Sequence, residues 1–221
     1  MKVFLSLLTY CLAAYLLVLL PEKTFLFLTE EDSWFEWMGA ICFLLTALLY
    51  VAAFLWRDRN WFFLLLAFLF FFSFGEEISW GQRLLDIPTP ERLQEINIQK
   101  EINLHNLRIF NLDKYDTEHT WGQYFTSKNL FIGFFFTYLI IIPLAQFFPS
   151  IRKIMDSINL PVPPWNIGLA FVANMLILKL FRLVDYGNRD INSGLLEIEE
   201  SNIALILLML PLGLLKRERS T

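Results

Sequence analysis

The sequence predicts an all-α polytopic membrane bundle of about six spans, one domain over residues 1–221. Three observations predict it. The 221-residue chain is 56% hydrophobic and carries 23 Phe, a composition outside that of soluble domains. Its apolar residues fall in runs near the roughly 20 residues needed to cross a hydrocarbon core. Trp34, Trp37, Trp56, Trp61, Trp80 and Trp165 mark the ends of those runs, where an interfacial aromatic belt sits.

The first span is Val3–Leu20. It is long for a signal-peptide core, no Ala-x-Ala follows it, and Tyr10 is too bulky for a lipoprotein cleavage site, so a retained helix is expected. The second and third spans are Trp37–Trp56 and Trp61–Trp80. The fourth, fifth and sixth are Leu130–Phe148, Trp165–Val184 and Leu195–Leu215. Cys11 and Cys42 fall inside apolar runs and read as reduced core residues.

Charge sets the expected orientation. With the N-terminus inside, the inner segments carry Lys2, Arg57, Arg59, Arg152, Lys153, Lys216, Arg217 and Arg219. Against these stand only Asp58, Asp156 and Glu218. The positive-inside rule then puts both termini in the cytoplasm. The largest non-membrane piece, residues 81–129, lies outside. Thr89-Pro90-Glu91 reads as a helix start, with Thr89 as N-cap. Ile98, Ile102, His105 and Ile109 continue at helical spacing, so an amphipathic outer-surface helix is expected over Glu91–Leu107, between spans three and four. The net charge is −4 with no basic tract, so no nucleic-acid partner is expected.

The chemistry concentrates around "FFFSFGEEISWGQR", Phe70–Arg83. Ionisable groups at a span end are costly and usually face the bundle interior. On a continuous helix Glu76, Ser79, Trp80 and Arg83 share one face, and Glu77 turns about 100° away. Lys179, Arg182 and Asp185 follow at three-residue steps in the fifth span, and Glu197, Glu199 and Glu200 open the sixth. Glu101 and His105 stand four apart in the outer segment, flanked by Asn103 and Asn106. These residues predict a pocket in which Glu76, Glu77 and His105 do acid–base work. Arg83, Arg182, Asp185, Asn103 and Asn106 would bind substrate. Aromatic walls favour the neutral form of a carboxylate, which suits such chemistry. Glu77, Glu101, His105 and His119 are also ligand types for a divalent metal such as Zn.

"GEEISWGQR" followed by "EINLHNL" resembles a family of uncharacterised bacterial multi-pass membrane proteins over Phe72–Leu107. That resemblance implies the bacterial cytoplasmic (inner) membrane and names no activity. The adjacent glutamates, an Arg and a later His also resemble the CAAX-protease/bacteriocin-processing family. There, one glutamate of an E-E-x-x-x-R motif activates water; here five residues, not three, separate Glu77 from Arg83.

Two functions follow as expectations. One is a membrane-embedded enzyme acting on a membrane lipid, a lipid-linked molecule or a peptide at the outer leaflet. The other is a non-catalytic subunit or scaffold whose polar cluster is a structural ion-pair network. A carrier needs a midplane site, and polar residues at that depth are few, Asn174 being the clearest, so the sequence argues against a carrier.

Overall fold

A computed structural model describes residues 2–30, 32–111 and 124–216. Helices make up most of them, and the sole β feature among them is an isolated antiparallel bridge between Asn97 and Leu107. The chain opens with α1 (Lys2–Leu16), continued by a 3₁₀ turn over Leu17–Leu19. Pro21 then redirects it into the short α2 (Glu22–Thr29). The long α3 (Trp34–Trp56) and α4 (Trp61–Glu77) follow. Between them Asn60 caps α4 by accepting a hydrogen bond from the Phe62 N–H at 3.0 Å.

Beyond α4 lie α5 (Gln82–Leu85) and α6 (Glu91–Ile96). After the undescribed stretch, α7 (Ser127–Phe136) passes through a π-helical turn, Thr137–Ile141, into α8 (Ile142–Ala145). Pro143 lies just past that turn; it lacks an N–H and crowds the carbonyl of residue 139, which accounts for the widened turn. The last helices are α9 (Pro149–Ser157), α10 (Trp165–Phe181) and α11 (Arg189–Lys216).

Among the described residues, four stretches are long and apolar enough to cross a membrane: Lys2–Leu19, Glu22–Trp56, Ser127–Ala145 and Arg189–Lys216. A fifth counts if Trp61–Glu77 and Ser79–Leu85, bent by 64°, form one span. The expected third span therefore ends early, at Glu77. The fifth expected span is also shorter, an apolar helix of 17 residues. The sixth is longer, because α11 begins at Arg189 rather than Leu195.

The core is built around α3, which packs most extensively on α4 and α11. Phe70 of α4 is fully buried and stacks on Tyr50, Phe43 and Phe135 at centroid distances of 5.9, 6.2 and 5.7 Å. Tyr15, Phe25, Phe35, Leu195 and Ile198 form a second cluster joining α1, α2, α3 and α11. Cys11 and Cys42 are buried and free. The opposite side of α3 exposes Ile41, Leu45, Leu48, Val51 and Leu55. A helix apolar on both faces is suited to lipid on one side and a core on the other. Trp34, Trp56 and Trp61 are exposed at helix ends, as an interfacial belt requires.

At Gly168 the backbone of α10 meets the widened turn of α7–α8. A Cβ there would lie 2.4 Å from the Leu139 carbonyl oxygen. Gly168→Ala is expected to lower stability by about 1–3 kcal/mol, the usual cost of forcing a packed contact apart. Gly133→Ala, where a Cβ meets nothing within 4 Å, should leave the thermal unfolding of the detergent-solubilised protein unchanged or slightly raised.

Candidate functional site

The polar end of the bundle is organised by a break in the chain. After α4 three consecutive residues take positive φ: Ser79 (46°), Trp80 (55°) and Gly81 (80°). Only glycine adopts this region cheaply, and each of the others costs roughly 1–2 kcal/mol. The break reverses Trp80 onto the helix it came from. Its ring packs so closely on Gly75 that a Cβ there would lie 2.8 Å from it. Its indole Nε1 donates to Glu76 Oε1 at 2.8 Å.

Glu76 is buried, and its second oxygen receives the loop that follows α6. Oε2 accepts the backbone N–H groups of Leu104 at 2.6 Å and His105 at 2.9 Å. The His105 ring Nδ1 lies 3.3 Å from the same oxygen. Two adjacent N–H groups closing on one carboxylate form a small anion nest. Glu76 and His105 thus fasten the loop to the bundle.

The expected helix over Glu91–Leu107 stops at Ile96. Asn97 competes with the helix backbone: its Oδ1 accepts the N–H groups of Gln99 and Glu101, while its Nδ2 donates to Asn103. Lys100 then takes a φ of 59°, and the chain doubles back, the Ile98 N–H donating to the Asn106 carbonyl at 2.8 Å. Thr89 is not the N-cap, a position Pro90 occupies. Its hydroxyl instead accepts from Gln82 and donates to the Lys100 carbonyl. Glu101 and His105 consequently face different partners. Glu101 accepts from Ser79 and from Asn103 Nδ2, the latter at 2.8 Å. Asn106 bonds Gln99 at the exposed edge of the loop.

Arg83 does not reach Glu76 along a shared helix face, because the break lies between them. Its guanidinium pairs with Glu36, lies 3.3 Å from Asp32 and 3.8 Å from Glu101, and donates to the Glu77 carbonyl at 2.9 Å. Arg182 and Asp185 are exposed. Among the described residues neither bonds to Glu76 or Glu77; Asp185 instead accepts the Gly187 N–H at 2.9 Å. The α10 helix ends at Phe181, which leaves both beyond it. Among the described residues, Lys128 at the start of α7 faces two of the α11 glutamates, with Nζ 2.8 Å from Glu199 and 3.1 Å from Glu200. Sequence reasoning passed over Lys128 and Glu36, although each charge opens an apolar run just inside a helix start, as Glu76 and Glu77 close one.

Glu77 lies on the other side of α4 from the Glu76 nest. It lines a small cavity of about 10 Å³ with Glu36, Gly39, Glu197, Glu200 and Ser201, walled by Phe35 and Phe43. That volume matches one water-sized group. The Ser201 hydroxyl is buried without a hydrogen-bond partner. A larger cavity of about 240 Å³ is lined by Asp32, Trp37, Ile78, Arg83 and Leu84. Deeper in the bundle, Asn174 accepts from Tyr15 at 3.1 Å and from Asn202 at 2.9 Å and donates to the Glu199 carbonyl at 3.2 Å. It ties α1, α10 and α11 together in the core.

Glu77 and His105 are thus brought to one end of the bundle but to different partners. Among the described residues no group of three or more His, Cys, Asp or Glu is arranged to hold a metal ion. His119 lies outside the described residues. No family model, curated protein or solved structure matches the chain.

Glu76→Ala should release the loop, since each buried N–H left without a partner costs about 1–3 kcal/mol. Limited proteolysis is expected to cut within residues 97–111 faster in that variant than in the parent. Lys100→Ala, an exposed position, should leave the cutting rate unchanged.

Proposed function

We propose that the protein is a membrane-embedded enzyme acting at the outer leaflet on a lipid, lipid-linked or peptide substrate, with Glu77 as general base. The observation that carries this reading is the water-sized cavity that Glu77 shares with Glu36, Glu197, Glu200 and Ser201. A water held there faces carboxylates, so one of them can take its proton as the water attacks, while a second protonates the leaving group. Glu77 is the acceptor in this scheme, and Glu197 is the donor. Arg83 on Glu36 and Lys128 on Glu200 fix the orientation of two walls. The 240 Å³ cavity lined by Asp32, Trp37, Ile78, Arg83 and Leu84 offers space for substrate. Water activation by Glu77 also accords with the resemblance to the CAAX-protease/bacteriocin-processing family. His105, bonded to Glu76, positions the loop in this scheme.

The proposed topology has six crossings, α1, α3, α4, α7–α8, α10 and α11, in a bacterial inner membrane with both termini cytoplasmic. The basic inner segments support it. The α10 helix, at 17 residues, is about 26 Å long, close to the hydrocarbon thickness. A Cys placed at Lys100 should react with an impermeant label applied from outside, and one at Arg59 should not. The reverse pattern overturns the outer-leaflet site.

The scaffold reading has its own support: Glu76, Arg83, Lys128 and Glu199 are each tied to partners on other segments. Glu77→Gln separates the two. Gln keeps the shape of Glu but takes up no proton at the pH of the cell. The enzyme reading expects that variant to reproduce the phenotype of gene deletion while yield and thermal stability stay near those of the parent. Loss of folded protein, recovered by adding Arg83→Gln, establishes the scaffold instead.

A further inference from the structure

We infer that α9 lies in the plane of the bilayer interface and, with the α3–α4 turn, forms a surface that binds the headgroups of anionic phospholipids. That surface is independent of the enzyme reading and remote from its site. Asn60, at the start of α4, donates to the Asn159 carbonyl at 2.6 Å, and Glu77 stands at the far end of the same helix.

The α9 sequence is amphipathic. At 100° per residue Ile151, Ile154 and Ile158 fall within an arc of about 60°, and Arg152, Lys153 and Asp156 lie opposite. Met155 is the one buried residue of this nine-residue helix. Ile151, Ile154 and Ile158 are exposed, and so are Phe147 and Phe148 just before it. Isolated helices shorter than about 12–15 residues are marginal in water. One buried side chain does not hold such a helix, so its apolar side has a further cover.

Position identifies that cover as lipid. Phe147 stacks on Trp165, the first residue of α10, at a centroid distance of 6.3 Å. Trp at the end of an apolar helix sits at headgroup level. One turn deeper, Leu144 of α8 and Leu169 of α10 are also exposed. The apolar side of α9 thus continues into the apolar flank of the bundle, as for a helix lying in an interface.

Charge selects the lipid. The Asn60–Asn159 bond fastens the α3–α4 turn beside the end of α9. Arg57, Arg59, Arg152 and Lys153 are thereby brought to one end of the bundle, against Asp58 and Asp156. This is a positive excess in a chain whose net charge is −4. Arg152 lies 3.8 Å from Asp156 with both side chains largely exposed, an arrangement in which pairing is weak. Lys153 is exposed. Basic residues on an interfacial helix attract anionic headgroups, whereas a zwitterionic headgroup carries no net charge to attract.

The test uses the full-length protein in phosphatidylcholine vesicles, with Ile154→Cys carrying a bimane label. Cys11 and Cys42 are buried, so the label goes to the new position. Brominated phosphatidylglycerol should quench it more strongly than brominated phosphatidylcholine at equal mole fraction. Lys153→Gln should lower that preference about fivefold, the effect of one basic residue at an anionic surface. High salt should lower it too. Lys100→Gln, exposed and near the opposite end, should leave it unchanged. A label at Ile158 repeats the measurement on the same face should the first position perturb folding.

Equal quenching by the two lipids overturns the anionic selectivity, as does a preference that survives Lys153→Gln. A label reached by aqueous iodide but by neither lipid overturns the membrane placement. A label shielded from iodide and from both lipids shows that protein covers the face, which overturns it equally. The leaflet, and only the leaflet, rests on the proposed topology. If a Cys at Arg59 is labelled from outside, the surface belongs to the outer leaflet and the quenching result stands.

Discussion

Glu76 ends a helix made almost wholly of apolar residues, and a carboxylate so placed must be satisfied by the protein because little water reaches it. The chain meets that demand by turning back. Three positive-φ residues bring Trp80 over Gly75, so the indole serves one oxygen. The second oxygen is served by two consecutive backbone N–H groups from a loop nearly thirty residues on. The backbone cost of the turn is offset by charge-assisted hydrogen bonds to a buried acceptor, each worth roughly 1.5–3 kcal/mol. Ser79 shares in this arrangement, since it bonds Glu101 and receives the Asn103 amide.

Once the loop is fixed there, the rest of the polar end follows. Arg83 is carried by the break toward α3, where Glu36 and Asp32 receive it. Glu77, one residue from Glu76 and therefore turned about 100° around the helix, faces α3 and α11 instead of the loop. The adjacent glutamates thereby do different things. One holds the structure together, and the other opens onto a small cavity among carboxylates. Environment, not residue type, separates their roles, which is the general pattern when one site uses several carboxylates.

The buried Asn174 shows the same economy lower in the bundle. A polar residue at that depth invites a transport reading, but its amide is bonded to Tyr15, Asn202 and the Glu199 carbonyl. It fixes the rotation of α11 about its axis. That rotation directs Glu199 toward Lys128 and sets Glu197, Glu200 and Ser201 along the cavity.

The helical membrane character of the chain was legible in its residues alone, because apolar run length and Trp placement answer directly to the thickness and interface of a bilayer. So was the gathering of polar side chains at the end of the bundle that carries Glu76 and Glu77, since ionisable groups at span ends are few and costly. Partner choice was not legible. Helical periodicity put Glu76 with Arg83 and Glu101 with His105, and both pairings failed where the backbone left the helix, at Ser79–Gly81 and at Asn97. Local spacing carries no information once φ changes sign, and the Ser and Trp that do so have no intrinsic preference for it. Lys128 and Glu36, rather than Arg182 and Asp185, came to face the glutamates because helix ends far apart in sequence meet only through packing. The sequence by itself determined that costly charges gather at one end of an apolar bundle. The tertiary structure alone decided which charges meet, because the 64° bend after Glu77 and the packing of α3 on α4 and α11 set the directions of their side chains.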